Sequence, residues 1–369
     1  LYNIVDYVKE YGKDSFSDRR FSQEDALVLS QFSYLKFEGI LEVMSREPVT
    51  LTEINSSKIR DSLFSDYRYE KDNRALFDAM VTSVRFSDMK IAMYINRIEE
   101  ETQFAALTFL LPGSNTLIVF RGTDETIVGW QEDMGLALKK NIGGQDLSVK
   151  YLNDAAGSIS GRFMVAGHSK GGNLAIFSSM FASPEIKKRI KKIYCFDSPG
   201  FRNKFLQKSG YDEIADRVVK VIPKSSFVGM LFDDGGSSTV VEARAVGVIQ
   251  HNPYTWVFKD GKFKKTRLSN GHKRLIATVN EWILSKDEAT LEKFVYYLNL
   301  LLDSSDADTT IDFSKALIKN STQVIKAAKE LDEETKDFLS EFMKSYVEIA
   351  KDMIKEEVRE KTGIGKKNA

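Results

Sequence analysis

The sequence predicts an α/β fold, a mostly parallel sheet with helices on both faces, followed by an added C-terminal helical region. Three observations carry this expectation. Short segments rich in Val, Ile, Phe and Leu alternate with helical patterns through the middle of the chain, and strand–helix–strand units build parallel sheets. A glycine-rich turn joins one such strand directly to a helix at residues 162–175. The strand candidates stop before residue 286, and only helical periodicity continues beyond it.

Taken in order, residues 1–89 read as a helical lead-in. One helix is expected over Ser22–Leu41, opened by the N-terminal signal Ser22-Gln23-Glu24-Asp25 and continued by Ala26, Leu29, Phe32, Ser33 and Leu35. A second is expected over Asn73–Phe86, led by Ala75, Leu76, Ala79, Met80 and Val84. Strands follow at Lys90–Ile98, Thr102–Leu111 and Asn115–Phe120, and the turn Pro112-Gly113-Ser114-Asn115 makes the last two a hairpin. This antiparallel start belongs at a sheet edge. Further strands are expected at Arg162–Ala166, Lys192–Phe196, Val218–Ile222 and Val240–Ile249. Helices over Trp130–Lys140, Asp146–Ile159, Asn173–Phe181 and Asn203–Ser209 lie between most of them.

These elements place one domain over residues 1–285, with its core at 90–285, and a helical extension over 286–369. The extension carries three helical patterns, Asp287–Leu302, Phe313–Leu331 and Glu334–Thr362. The last has Phe338, Phe342, Tyr346, Ile349 and Met353 on one stripe and mixed charges opposite. That mixture ranks packing on the body, or homodimerisation, ahead of lying on a membrane surface.

Composition narrows the function classes. Lys plus Arg and Asp plus Glu are 53 each, so the formal net charge is zero, which removes the electrostatic case for nucleic acid as the main partner. The basic cluster Lys187, Lys188, Arg189, Lys191 and Lys192 reads as a solvated helix surface. The single cysteine, Cys195, excludes an internal disulfide and sits in an apolar run that reads as a buried strand. No basic segment followed by an apolar one opens the chain, so no secretory signal is expected, although the leucine start suggests trimming of the native N-terminus. No stretch of 18 or more uncharged apolar residues predicts a membrane span, and a cytoplasmic location is expected. One Cys and three scattered His make no usual zinc site, no P-loop or dinucleotide fingerprint occurs, and no cofactor or metal is expected.

The chemistry concentrates at Arg162-Phe-Met-Val-Ala-Gly167-His168-Ser169-Lys170-Gly171-Gly172-Asn173. A Gly-x-Ser-x-Gly between strand and helix puts the serine on a strained turn, with its hydroxyl at the carboxyl edge of the sheet. The following helix N-terminus directs N–H groups and a positive dipole end toward a developing oxyanion. Chance yields this pentapeptide in about one chain in ten of this length, so its place between strand and helix is what gives it weight. A second motif, Phe120-Arg121-Gly122-Thr123-Asp124, ends a strand 46 residues earlier. The loop there supplies the other oxyanion donor in such folds, and Thr123 offers an N–H and a hydroxyl.

Together with Trp130 and Asp133, these motifs resemble the class 3 (fungal type) lipases and related bacterial lipase-like proteins, over roughly residues 90 to 285. The resemblance implies an α/β-hydrolase fold, acyl-ester hydrolysis, Ser169 as nucleophile and oxyanion donors at Thr123 and Lys170. One departure stands out. Where that family carries its acid after a strand ending near Val-Pro, this chain has Ser226.

The carboxylate is then expected from Asp197, in Asp197-Ser-Pro-Gly200, at the end of the strand after the nucleophile's. This placement is similar to that of pancreatic-type lipases; the competing role is turn capping. Asp233 and Asp234 are lesser rivals. Among the three histidines, His168 beside the serine is expected only to pack. His251 gives the order Ser, Asp, His, and His272 is the alternative base. The apolar run 226–232 is expected to line an acyl groove, to move as a lid, or simply to be buried.

The leading expectation is a lipase/esterase-like serine hydrolase acting on a small-molecule or lipid acyl ester. The alternatives are a catalytically silent relative that binds a lipid or a protein partner, and a peptidase or thioesterase using the same triad.

Overall fold

The computed structural model describes residues 2–65, 69–98, 102–113, 115–123, 143–201, 210–232, 237–245, 247–268 and 270–287, with 289–290, 293, 332–341 and 344–345. The helices expected over 130–140, 203–209 and 313–331, most of those over 287–302 and 334–362, and Trp130, Asp133, Asp233 and Asp234 lie outside the described residues. Contacts divide the chain into two compact units, Leu1–Ala243 with His251–Arg267, and Arg244–Gln250 with Leu268–Ala369.

The first unit opens with α1 (Ile4–Tyr11), α2 (Gln23–Phe32), the short β1 (Val49–Thr50), α3 (Leu51–Asn55) and α4 (Glu70–Val81). Capping boxes start α1 at Asn3/Asp6 and α2 at Ser22/Asp25, and the second is the signal visible in the sequence. The chain continues through β2 (Lys90–Ile98), β3 (Gln103–Leu111), β4 (Asn115–Phe120), α5 (Gly143–Ser158), β5 (Phe163–His168) and α6 (Lys170–Phe181). It ends with α7 (Pro184–Arg189), β6 (Ile190–Phe196), β7 (Val218–Pro223), β8 (Ser238–Val241) and the hairpin of β9 (Phe258–Lys259) and β10 (Lys262–Phe263).

Among the described residues one sheet holds β1 to β8 in chain order. β1 to β4 pair antiparallel, and β4 to β8 pair parallel. The expected antiparallel edge and parallel centre are both present. Side chains alternate across this sheet as a period of two requires. Leu117, Val119, Met164, Ala166, Tyr194 and Phe196 face a core shared with α1, α2 and α4. Ile118, Phe120, Phe163, Val165, Ile193 and Cys195 face a second core built with α5 and α6. Helices therefore cover both faces of the sheet.

Three expected elements differ most in extent, and the helices expected from Asp146 and Asn173 each start three residues earlier, at Gly143 and Lys170. The helix over Ser22–Leu41 ends at Phe32, where the Ser30 and Ser33 hydroxyls bond the carbonyls of Ala26 and Ser30 and the chain turns. The helix over Asn73–Phe86 runs from Glu70 to Val81, and a turn then sends Arg85 inward. The strand over Val240–Ile249 stops at Val241. Beyond it the Glu242 N–H bonds the Lys264 carbonyl, and Ala243 bridges Trp256. Alternating apolar residues continue there, but their partner becomes the β9–β10 hairpin region rather than β7.

In the second unit α8 (Asn270–Ser285) buries His272, Ile276, Val279, Trp282 and Ile283. Residues 333–341 are helical, and Phe338 stacks on Trp282 with centroids 4.0 Å apart.

Candidate active site

Ser169 stands alone between the end of β5 and the start of α6, with φ 58° and ψ −133°. A non-glycine residue occupies that region only when its surroundings enforce it. The enforcement is visible. The Ser169 N–H donates to the Phe196 carbonyl at 2.9 Å, and the Gly172 N–H donates to the Ser169 carbonyl at 3.0 Å. Helix and strands also pass too closely for side chains: a Cβ on Gly167 would lie 2.1 Å from the Gly171 carbonyl carbon, and one on Gly171 would lie 2.1 Å from the Phe120 carbonyl oxygen. Such contacts force glycine at both positions. Every residue from Lys170 to Met180 is buried, so α6 is a fixed platform under the turn.

The next parallel strand brings the carboxylate. Asp197 follows β6 with φ 44°, and its N–H donates to the Val221 carbonyl at 2.8 Å. Its side chain is fully buried and fully used. Oδ2 lies 2.7 Å from His251 Nδ1, while Oδ1 accepts from the Ser226 hydroxyl and, at 3.1 Å, from the Gly229 N–H. Burial pushes the Asp197 carboxyl up, but the His251 bond and charge, with the Ser226 hydroxyl, hold it below the ordinary carboxylate value. Ser226 thus stands where the resembled lipases carry their acid and solvates a carboxylate that arrives from the neighbouring strand. The run 226–232 is braced in the same way: Val228–Met230 forms a 3₁₀ turn, and Leu231 accepts from the Gly200 N–H at 2.8 Å.

His251 ends a 3₁₀ turn over Gly247–His251, and its side chain is about a quarter exposed. An ionised carboxylate only accepts, so Nδ1–H donates to Asp197, and whenever the ring is neutral the lone pair sits on Nε2. His272, the alternative base, is buried on α8 in the second unit; the imidazole that meets Asp197 is that of His251.

His168 does more than pack. It is buried, its Nε2 lies 2.8 Å from the His251 carbonyl oxygen, and its Nδ1 lies 3.0 Å from the Tyr34 hydroxyl. Its ring lies against the His251 ring, with centroids 4.5 Å apart and planes at 34°. Burial, with the nearby His251 charge, drives its pKa down to about 3. Tyr34 carried no signal in the sequence, because its partner lies 134 residues away.

The Phe-Arg-Gly-Thr segment ends beside this turn. A Cβ on Gly122 would lie 2.7 Å from the His168 carbonyl oxygen and 3.0 Å from Ser169 Cβ, and Thr123 is the next residue in the chain. Arg121 is buried and donates to Asn96 Oδ1 at 2.7 Å. Lys170 is buried as well, and its ammonium donates to the Gln103 carbonyl at 2.8 Å. Ser169, Asp197, His251, Thr123 and Lys170 all belong to the first unit. Among the described residues no group of His, Cys, Asp and Glu is arranged to hold a metal ion, and no helix is long and apolar enough to cross a membrane.

The mostly parallel sheet with helices on both faces and its strand–Ser–helix turn is an α/β-hydrolase fold. Among solved structures the chain is similar to the M37 lipase, at 14% identity over 57% of this chain and 70% of that one, with a TM-score of 0.37. It is also similar to the Rhizomucor miehei lipase propeptide complex, at 16% identity over 53% and 70%, with a TM-score of 0.33. A fungal lipase–inhibitor complex aligns at 16% identity over 54% and 82%, with a TM-score of 0.32. No curated protein matches the chain. The model of the Mbeg1-like family matches residues 80–299, more than half of the chain and all of the residues just described except Tyr34, and this chain therefore belongs to the Mbeg1-like family.

Proposed function

We propose that this chain is a lipase/esterase-like serine hydrolase that cleaves a carboxylic ester through an acyl-Ser169 intermediate. The observation that carries the reading is the 2.7 Å bond between a fully buried Asp197 and His251, with Ser169 held at φ 58° between strand and helix and bonded through its N–H to Phe196, the residue before Asp197. In the proposed reaction, Ser169 Oγ attacks the ester carbonyl carbon and gives its proton to His251 Nε2. The oxyanion is met by the N–H groups of Thr123 and Lys170. Collapse breaks the carbonyl–alkoxide bond, and the imidazolium returns the proton to the leaving alcohol. Water then repeats the sequence on the acyl-enzyme. Asp197 stays ionised throughout and fixes the ring's orientation.

The division into a hydrolase domain over 1–285 and a helical extension over 286–369, the cytoplasmic location and dimerisation through the extension belong to the same proposal. Hydrolysis of a short-chain nitrophenyl ester by the purified chain and by Ser169→Ala tests the central part. The variant should lose at least about 10³-fold in kcat/KM, whereas equal rates would remove the enzyme reading. Thioester and peptide analogues assayed alongside define the acyl class, since the same triad serves all three.

A further inference from the structure

We propose that His168 is a positioning residue for His251, the middle link of a one-way hydrogen-bond chain from Tyr34 that holds the turn carrying the base. The inference rests on the triad reading above and adds two residues to it.

The direction of the chain follows from its acceptor. The His251 carbonyl only accepts, so His168 Nε2–H donates to it across 2.8 Å. A neutral imidazole has one N–H, which leaves Nδ1 as an acceptor, so the Tyr34 hydroxyl donates at 3.0 Å. Complete burial keeps this ring neutral through the ordinary pH range, so one tautomer and one orientation persist. The chain ties three separate pieces together: the turn after α2, the end of β5 and the end of the turn over Gly247–His251.

His251 needs this support more than the other site residues do. Ser169 and Asp197 follow parallel strands and have backbone bonds to the neighbouring strand. His251 lies on a turn outside the sheet, where no ladder fixes its backbone. Asp197 holds its ring at Nδ1, and His168 holds its carbonyl while lying against its ring face. A neutral neighbour also leaves the imidazolium formed in each half-reaction unopposed, which a second protonated histidine would not. Among the described residues the titratable groups that face this pair are Asp197, on His251, and Tyr34, on His168.

The test uses the full chain with a short-chain nitrophenyl ester and a fluorophosphonate probe. His168→Phe keeps the aromatic bulk and removes both bonds, His168→Gln returns a donor amide near the position of Nε2, and Tyr34→Phe removes the outer donor. His168→Phe is expected to lower kcat roughly 10- to 100-fold, the size of effect that follows from misplacing a catalytic group by about 1 Å, with KM within about twofold. The acid limb of kcat/KM should move to lower pH, because a looser Asp197 contact favours the charged imidazole less. Gln should recover part of the loss, and Tyr34→Phe should fall by less than His168→Phe. A merely structural role would move melting temperature without moving the limb or splitting kcat from KM. Wild-type kcat and an unmoved limb in His168→Phe overturn the proposal. Should that variant fail to fold, the same result in Tyr34→Phe overturns it. The two layers separate cleanly. If the wild-type chain neither turns over ester nor takes the probe at Ser169, the triad reading fails and this one falls with it. If the wild type reacts and the variants react as fast, only the positioning role is lost.

Discussion

His168 makes folding pH-dependent through a single buried ring. Its pKa falls from 6.5 to about 3 on folding, so the unfolded chain binds more protons between those values. Stability should therefore decline below pH 6.5 by up to about 1.4 kcal/mol per pH unit, until the ring protonates in the folded state near pH 3. Asp197 has the depressed carboxylate sign: its contribution is present above the ordinary carboxylate value of 3.8 and is lost only below it. Urea unfolding at pH 7, 6, 5 and 4 checks this, and His168→Phe should flatten the slope; an unchanged slope would contradict it. Ser226→Ala removes one of three partners from a buried carboxylate, and should cost about 1–3 kcal/mol of stability and several-fold in kcat by circular dichroism melts and ester assay. At this scale the sequence carried much of the candidate site. The Gly-x-Ser-x-Gly motif, the Ser, Asp, His order and the vacancy at 226 pointed to Ser169, Asp197 and His251 because those signals are local. The bonds of His168 to Tyr34 and His251 were unreadable, since they join residues 134 and 83 positions apart.

At the scale of elements, a buried ion pair fastens the pieces of the lead-in to one another. Arg85 holds Asp25 with Nε and Nη2 at 2.7 and 2.6 Å, both side chains are fully buried, and the Tyr7 hydroxyl donates to the same carboxylate at 2.9 Å. Arg85→Met leaves that carboxylate without its cation and should cost about 3–5 kcal/mol, read as a drop in the urea midpoint. The turn between β5 and α6 tolerates still less. Gly171→Ala drives a methyl into the Phe120 carbonyl, and should abolish soluble folded protein or cost about 3 kcal/mol or more. Strand positions were readable to within a few residues for β2 to β7, because these strands are buried on both faces and read as near-continuous apolar runs. Element ends were less so. Nothing in Ser33-Tyr34-Leu35 announces that α2 stops at Phe32, yet that stop is what lets Tyr34 reach the site. The apolar residues after Val241 continue a strand pattern while their backbone turns to a different partner.

For the molecule as a whole, strands in chain order bring three consecutive carboxyl-end loops to one edge of the sheet. The loops after β4, β5 and β6 carry Thr123, Ser169 and Asp197, so the proposed site is a consequence of topology rather than of any one loop. The proposed boundary at 285 is open to limited proteolysis. Early cuts confined to residues 286–331, with a surviving fragment that still hydrolyses ester, are expected; a stable fragment ending near Arg267 would instead follow the contact grouping that puts α8 in the second unit. The account stands most directly on a covalent intermediate. Acid-quenching the chain during turnover of a slowly deacylating nitrophenyl ester, followed by intact mass and peptide mapping, should show one acyl adduct, located on Ser169 and absent from Ser169→Ala. Turnover with an unmodified chain, or an adduct on another residue, would contradict it.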